Sequence, residues 1–113
     1  MAADRMRRVN EAVKEVLSTH IAGDLRDPRV GFVTVTSVET SPDLRRARVY
    51  VSVLGDEDER ARSLAGLEAS RVFLQSQVAT ELRIKRTPVL EFVYDDSIDT
   101  GMRITGLLKE EET

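Results

Sequence analysis

Valine and leucine spacing sets the first pattern along the chain. Val9, Val13, Val16, Leu17 and Ile21 recur on one helical stripe, while Arg7, Arg8, Glu11, Lys14 and Glu15 lie mostly off it. The spacing predicts a helix over about residues 3–20 or beyond, ended by Gly23 and the Asp27-Pro28 pair. The period then drops to two. Val33 and Val35 alternate with Thr34 and Thr36, which predicts a strand over about residues 31–39. Ala47, Val49, Val51 and Val53 alternate with Arg46, Arg48, Tyr50 and Ser52, which predicts a second strand with one polar face. Thr40-Ser41-Pro42-Asp43 between them is turn chemistry, so the pair is expected as an antiparallel hairpin with a slightly long loop.

Helical spacing returns after Gly55, with Asp56 or Asp58 available as a cap. Leu64 and Leu67 open a stripe that Leu74, Val78 and Leu82 continue. Between them the phase fails, because Ser70 and Arg71 are polar and Val72 and Phe73 fall on different faces. That predicts a kink or break near residues 69–73. Leu90, Phe92 and Tyr94 alternate with Val89, Glu91 and Val93 in a third strand, with Pro88 at its start. Ser97 is expected to cap a short last helix carrying Met102, Ile104, Leu107 and Leu108. The expected fold class is α+β, in the order helix, strand, strand, broken helix, strand, short helix. The helices should pack on one face of a three-stranded sheet. The expected domain is a single one over residues 1–113, with its core at about 6–108 and flexible ends at 1–4 and 109–113.

Composition narrows what this framework can do. A chain of 113 residues supports one modest core. With aromatics at 4% and no Trp, that core must be Val, Leu, Ile and Ala. The lack of Cys excludes disulfides, thiolate metal sites and cysteine nucleophiles. No apolar run approaches bilayer length, and the basic N-terminus leads into no apolar segment, so the expected compartment is the cytoplasm. The net charge of -3 conceals an asymmetry. Residues 1–50 hold nine Lys/Arg against seven Asp/Glu, and residues 51–113 hold eight against thirteen. Seven of the acids lie in two runs, Asp56-Glu57-Asp58-Glu59 and Glu110-Glu111-Glu112. A weakly basic body with separate acidic patches suits a protein that binds nucleic acid on one face.

The candidate contacts are cations. Arg83, Lys85 and Arg86 cluster where the broken helix hands over to the third strand. Arg forks suit phosphate oxygens and Lys acts as a point charge. The competing reading is a solvated helix end. Arg45 and Arg46 lie at the hairpin end, with Arg48 along the strand, and their bland reading is a polar sheet face. Arg5, Arg7 and Arg8 are expected on a flexible N-terminal turn that either docks on RNA or merely solubilises the end. Tyr50 alternates with Arg46 and Arg48, and packing under Arg stems is favoured over stacking on a base. His20 is a lone histidine with no second ligand nearby, so neither a metal site nor a general base is signalled. Asp95, Asp96 and Asp99 read as a turn and a cap rather than a cation loop. Asp56 to Glu59 should lie off any RNA-binding face. Gly-rich nucleotide motifs are absent, and no spaced nucleophile, base and orienting group can be assembled. No enzyme, metal or cofactor is therefore expected.

The order of elements resembles type II K-homology domains, which bind single-stranded nucleic acid on one α/β layer. The segments Asp27-Pro28-Arg29-Val30, Val33 through Leu44, and Ala47-Arg48-Val49-Tyr50-Val51-Ser52 are similar to the hairpin region of the bacterial ribosome-binding factor A family. Leu82-Arg83, Thr87-Pro88-Val89-Leu90-Glu91-Phe92, Asp95 with Ser97, and Gly101-Met102-Arg103-Ile104 resemble it as well. Each motif is weak alone, but together and in order they are specific. The resemblance implies a non-catalytic assembly factor for the small (30S) ribosomal subunit. It implies binding to free or immature subunits and their 16S rRNA precursor, help in late rRNA maturation and cold growth, and departure before translation. It also suggests release by another assembly factor such as a GTPase. A monomer is expected. The competing reading is a small ferredoxin-like regulatory or ligand-binding domain, which would predict a dimer and an effector pocket. The chain departs from the family at the helix kink. The usual Ala-x-Gly aligns with Ser70-Arg71-Val72, and Gln75 stands where an Arg follows the aromatic. Arg71 is the candidate replacement for that cation.

Overall fold

Each change of period becomes an element boundary in the computed structural model, which describes residues 2–97. Helix α1 spans Ala2–Gly23, and strands β1 and β2 span Val33–Thr40 and Arg46–Val53. Helices α2 and α3 span Glu57–Ala69 and Arg71–Leu82, and β3 spans Val89–Tyr94. The sheet order is β1-β2-β3. β1 pairs antiparallel to β2, and β3 pairs parallel to β2. The fold is α+β, as the period changes predict, and the sheet is mixed. Parallel pairing needs a crossover, and α2 with α3 provides it.

The core forms where the helical stripes meet one face of the sheet. Val13, Leu17, Ala47, Val49, Val51, Leu67, Leu74 and Val78 are fully buried. Each large aliphatic side chain contributes about 1.5–3 kcal/mol by leaving water. Arg46, Arg48 and Glu91 point to the opposite, solvated face. On that face the Tyr50 hydroxyl lies 3.4 Å from the Glu39 carboxylate.

The broken stripe is a real break. One residue, Ser70, separates α2 from α3, with φ -94 and ψ 4. Any L-residue reaches those angles, so no glycine is needed for the turn. The Ser70 N–H donates to Gly66 O and Leu67 O, while Ser70 O accepts from Leu74 N at 3.0 Å. Backbone bonding therefore continues through the bend.

Two expectations change. Residues 2–4 are helical, so Arg5, Arg7 and Arg8 lie on regular α1 rather than on a loose turn. Asp4 in the first turn suits the positive helix end, and no Gly or Pro interrupts. The simple alternation in β1 fails at Thr36, where the register slips between Val35 and Ser37. A bulge inserts one residue and flips the rest of the strand. Val38 and Thr40, not Ser37 and Glu39, therefore face the core. The expected last helix and the 109–113 end lie outside the described residues.

Candidate nucleic-acid interface

The parallel pairing of β2 and β3 brings two basic segments together. Arg46 at the start of β2 is in register with Val89 at the start of β3. The Val89 N–H donates to Arg45 O at 2.8 Å. The hairpin turn with Arg45 and Arg46 therefore sits beside the loop with Arg83, Lys85 and Arg86, although about forty residues of chain separate them.

Each segment is held locally. In the hairpin, Ser41 N donates to Arg46 O at 2.8 Å, and Arg46 N donates to Ser41 Oγ at 3.0 Å. The Asp43 carboxylate accepts from Ser41 Oγ at 2.7 Å and from Arg45 N at 3.1 Å. Those bonds, the Ser41 hydroxyl first, hold its pKa below the ordinary carboxylate value. Leu44 closes the turn at φ 60. In the second segment, α3 ends on Arg83 in the left-handed region, at φ 52 and ψ 40. Glycine is the usual residue there, and a Cβ costs about 1–2 kcal/mol. Ile84 then packs against the core and Pro88 is fully buried. Between and beside these two apolar pins, Arg83, Lys85 and Arg86 reach solvent.

Pairing sets these cations apart from Arg29, Arg48 and Arg71. Arg29 forks onto Asp27, which drops the Asp27 pKa to about 2. Arg48 lies 3.9 Å from Glu91, and Arg71 lies 2.9 Å from Glu68. Arg45 has only a long 3.8 Å contact to Asp43. Among the described residues, Arg46, Arg83, Lys85 and Arg86 have no carboxylate within ion-pair distance. Uncompensated surface cations at one spot are what phosphate oxygens require.

The remaining candidates lie elsewhere. Asn10 Oδ1 accepts from Thr40 N at 2.8 Å, which ties α1 to the hairpin end of β1. Arg7 precedes Asn10 by one turn on the same helix face. Arg8 lies on a neighbouring face with Glu11 and Glu15 close by. Arg71 stands at the α2–α3 junction, a helix length of about 18 Å from Arg83. Val72 is in the first turn of α3 and is exposed. The structure does not bring Ser70, Arg71 and Val72 to the basic end. The acidic run lies at the opposite end of the sheet, after β2, where Asp56 caps α2 through the Glu59 N–H at 2.8 Å.

Two interactions were not legible from spacing. His20 bridges α1 to α3, with Nε2 2.5 Å from Glu81 Oε2 and Nδ1 2.6 Å from Asp24 Oδ2. The Glu81 contact is the largest influence, and it raises the His20 pKa above 6.5. Asp24 at i+4 was a local signal for this clamp, but Glu81 gave none. Thr36, at the bulge, donates to Asp95 Oδ2 at 2.6 Å. That bond first, and the Ser97 bonds next, lower the Asp95 pKa. No cluster of three or more metal-ligating side chains occurs among the described residues.

With this geometry, comparison with known proteins is decisive. A sequence profile of the family described as ribosome-binding factor A matches residues 5–108. The chain belongs to the ribosome-binding factor A family. A ribosome-binding factor A of Anaeromyxobacter sp. (strain K) is 50% identical over 111 residues, covering 97% of this chain and 80% of that protein. The crystal structure of ribosome-binding factor A from Thermus thermophilus superposes with a TM-score of 0.70 at 29% identity, covering 79% of this chain and 94% of that one. A homology model of the Thermus thermophilus factor, fitted into a cryo-EM map of its 30S complex, gives a TM-score of 0.62 at 30% identity, over 75% of this chain and 89% of that one. Gln75, which the resemblance marks as a departure, has a structural part of its own. Gln75 Oε1 accepts from Leu90 N at 3.0 Å, covering an N–H of the edge strand. Arginine has no acceptor and cannot make this bond.

Proposed function

We propose that the chain binds the small ribosomal subunit through the 16S rRNA precursor and does so with its basic sheet end. The observation that carries the reading is the convergence of Arg45, Arg46, Arg83, Lys85 and Arg86 at one end, largely without anionic partners. The 30S complex of the Thermus thermophilus relative supports the partner. The domain is KH-like of type II, a reading that the element order supports. Binding is by shape and charge: the cations hold phosphates while the rigid body accepts one conformation of an RNA junction. Binding one RNA state shifts the population toward it without covalent chemistry. The role is that of a monomeric, non-catalytic factor in late rRNA maturation, acting in the cytoplasm and leaving before translation, with a further factor such as a GTPase driving release. Among the described residues no helix is long and apolar enough to cross a membrane.

Co-sedimentation with small subunits, large subunits and assembled ribosomes over a salt series tests the reading. The expected result is salt-sensitive binding to the small subunit alone, with a slope of about 0.7–0.9 per phosphate contacted. No binding at low salt would reject it.

A further inference from the structure

The sheet end opposite the cations carries an apolar pair that RNA binding leaves without a role. Phe32 is 79% exposed and Leu54 is 73% exposed. They are neighbours, because Leu54 N donates to Phe32 O at 3.0 Å. Two surface hollows flank the pair, and both side chains line both of them. One opens toward Thr34 and Asp95, and the other toward Pro28 and Glu59. Large apolar side chains that share an exposed ridge mark contact surfaces more often than isolated ones do.

The ridge is held in place before any partner arrives. Upstream of Phe32, Asp27 clamps Arg29 through its N–H at 2.9 Å and its guanidinium at 3.0 and 2.7 Å. Gly31 N donates to the hydroxyl of Ser63, a buried residue of α2, at 3.1 Å. Downstream of Leu54, Gly55 adopts φ +138, and a Cβ there would collide with the Glu59 side chain. Anchors fixed in this way lose little freedom on binding.

Charge selects the occupant. Asp56, Glu57, Asp58 and Glu59 follow the ridge directly, and Asp95 and Asp96 leave β3 beside it. Of the nearby cations, Arg29 is neutralised by Asp27, and Arg60 stacks on Tyr94 with its guanidinium carbon 3.8 Å from the ring centroid. Arg62 is the remaining one. Phosphate is repelled here, and a cationic chain is attracted. We propose that the Phe32–Leu54 ridge docks an extended, lysine- or arginine-rich protein segment whose apolar side chain seats beside the ridge while its cations face the acids. The proposal stands apart from the RNA reading, since it uses different residues at the other end of the sheet.

The test is an NMR titration of the isotope-labelled full chain with three synthetic peptides. The first is lysine-rich with a central Leu-Phe pair, the second has that pair changed to Ser, and the third has its lysines changed to Glu. The first peptide should shift amides around Phe32 and Leu54 and bind roughly tenfold tighter than the other two. The F32S/L54S variant should lose roughly that factor while keeping its melting temperature, because both side chains are exposed. The E57K/D58K variant should also bind the first peptide more weakly. Equal binding of the Ser peptide would overturn the proposal in favour of bare charge attraction. No shift at the ridge would overturn it as well. Concentration-dependent shifts at the ridge without peptide would overturn it in favour of a second copy of this chain. Movement of resonances from residues 98–113 in F32S/L54S without peptide would overturn it in favour of the chain's own C-terminal segment.

Discussion

The two ends of the sheet use their charges in opposite ways. At the acidic end, two of the anions hold the structure. Asp56 caps α2, and Asp95 accepts from Thr36 and Ser97, closing the end of β3 over the β1 bulge. At the basic end, the cations are not what holds the fold: Ser41, Asp43, Gln75, Ile84 and Pro88 build the turn and loop. The cations there contribute little to that framework. Charges that satisfy the fold are committed to it, while charges left over are available to a ligand. Arg83 makes the contrast plainest, because it stands in a conformation where glycine would cost less.

Removing the cations is the severest challenge to this division. Changing Arg45, Arg46, Arg83, Lys85 and Arg86 to Ala should weaken small-subunit binding on the order of a hundredfold and flatten its salt slope by about 3.5–4.5. Thermal unfolding should remain cooperative with little shift. A large loss of stability with unchanged affinity would reverse the assignment of roles.

The acidic end should respond the other way. Asp95→Ala removes the acceptor of the Thr36 and Ser97 bonds and should destabilise the fold by about 1–2 kcal/mol, read by denaturant unfolding. Small-subunit affinity should be unchanged. The folded Asp95 pKa lies below the ordinary 3.8. Its contribution is therefore present above that unfolded value and lost as pH falls through the folded one.

His20 supplies a check between the ends, on the packing of α1 against α3. Its folded pKa is raised above 6.5. The clamp's contribution is thus fully present below about pH 6.5 and is lost as pH rises through the folded value. The melting temperature of the parent chain should fall from pH 6 to pH 8.5 more than that of His20→Gln. The gap corresponds to about 1 kcal/mol. Parallel pH curves would show that the clamp adds nothing to stability.

The smallest effect concerns Arg83 alone. Arg83→Gly should stabilise the chain by up to about 1 kcal/mol by relieving the left-handed helix end, while weakening subunit binding. Arg83→Ala should weaken binding equally without the gain in stability. Equal stability of the two variants would show that the left-handed helix end carries no strain.

Much of the fold was legible in the sequence because it rests on periodicity. The α1 stripe, the β2 alternation, β3 after Pro88 and the break at Ser70 all follow from apolar spacing. The bulge at Thr36 was not legible. One extra residue leaves four valines and threonines looking regular, and its partner Asp95 lies 59 positions away. The cations were legible one segment at a time, but their convergence was not. It follows from the parallel pairing of β2 with β3, and a strand–helix–strand crossover within one sheet implies that pairing. The pairing state of each cation needed side chains. Glu68 three residues before Arg71 was a local hint that this cation is occupied, whereas nothing local marks Lys85 and Arg86 as unpaired.

The functional division of the sheet stands or falls on which end faces the rRNA, and the absence of native Cys allows a direct test. Single K85C and D58C variants, each carrying a tethered iron chelate, would be bound to small subunits and triggered to release hydroxyl radicals. Localised rRNA cleavage is expected from position 85, with little or none from position 58. Strong cleavage from position 58 with silence at position 85 would place the acidic end on the rRNA and overturn the division.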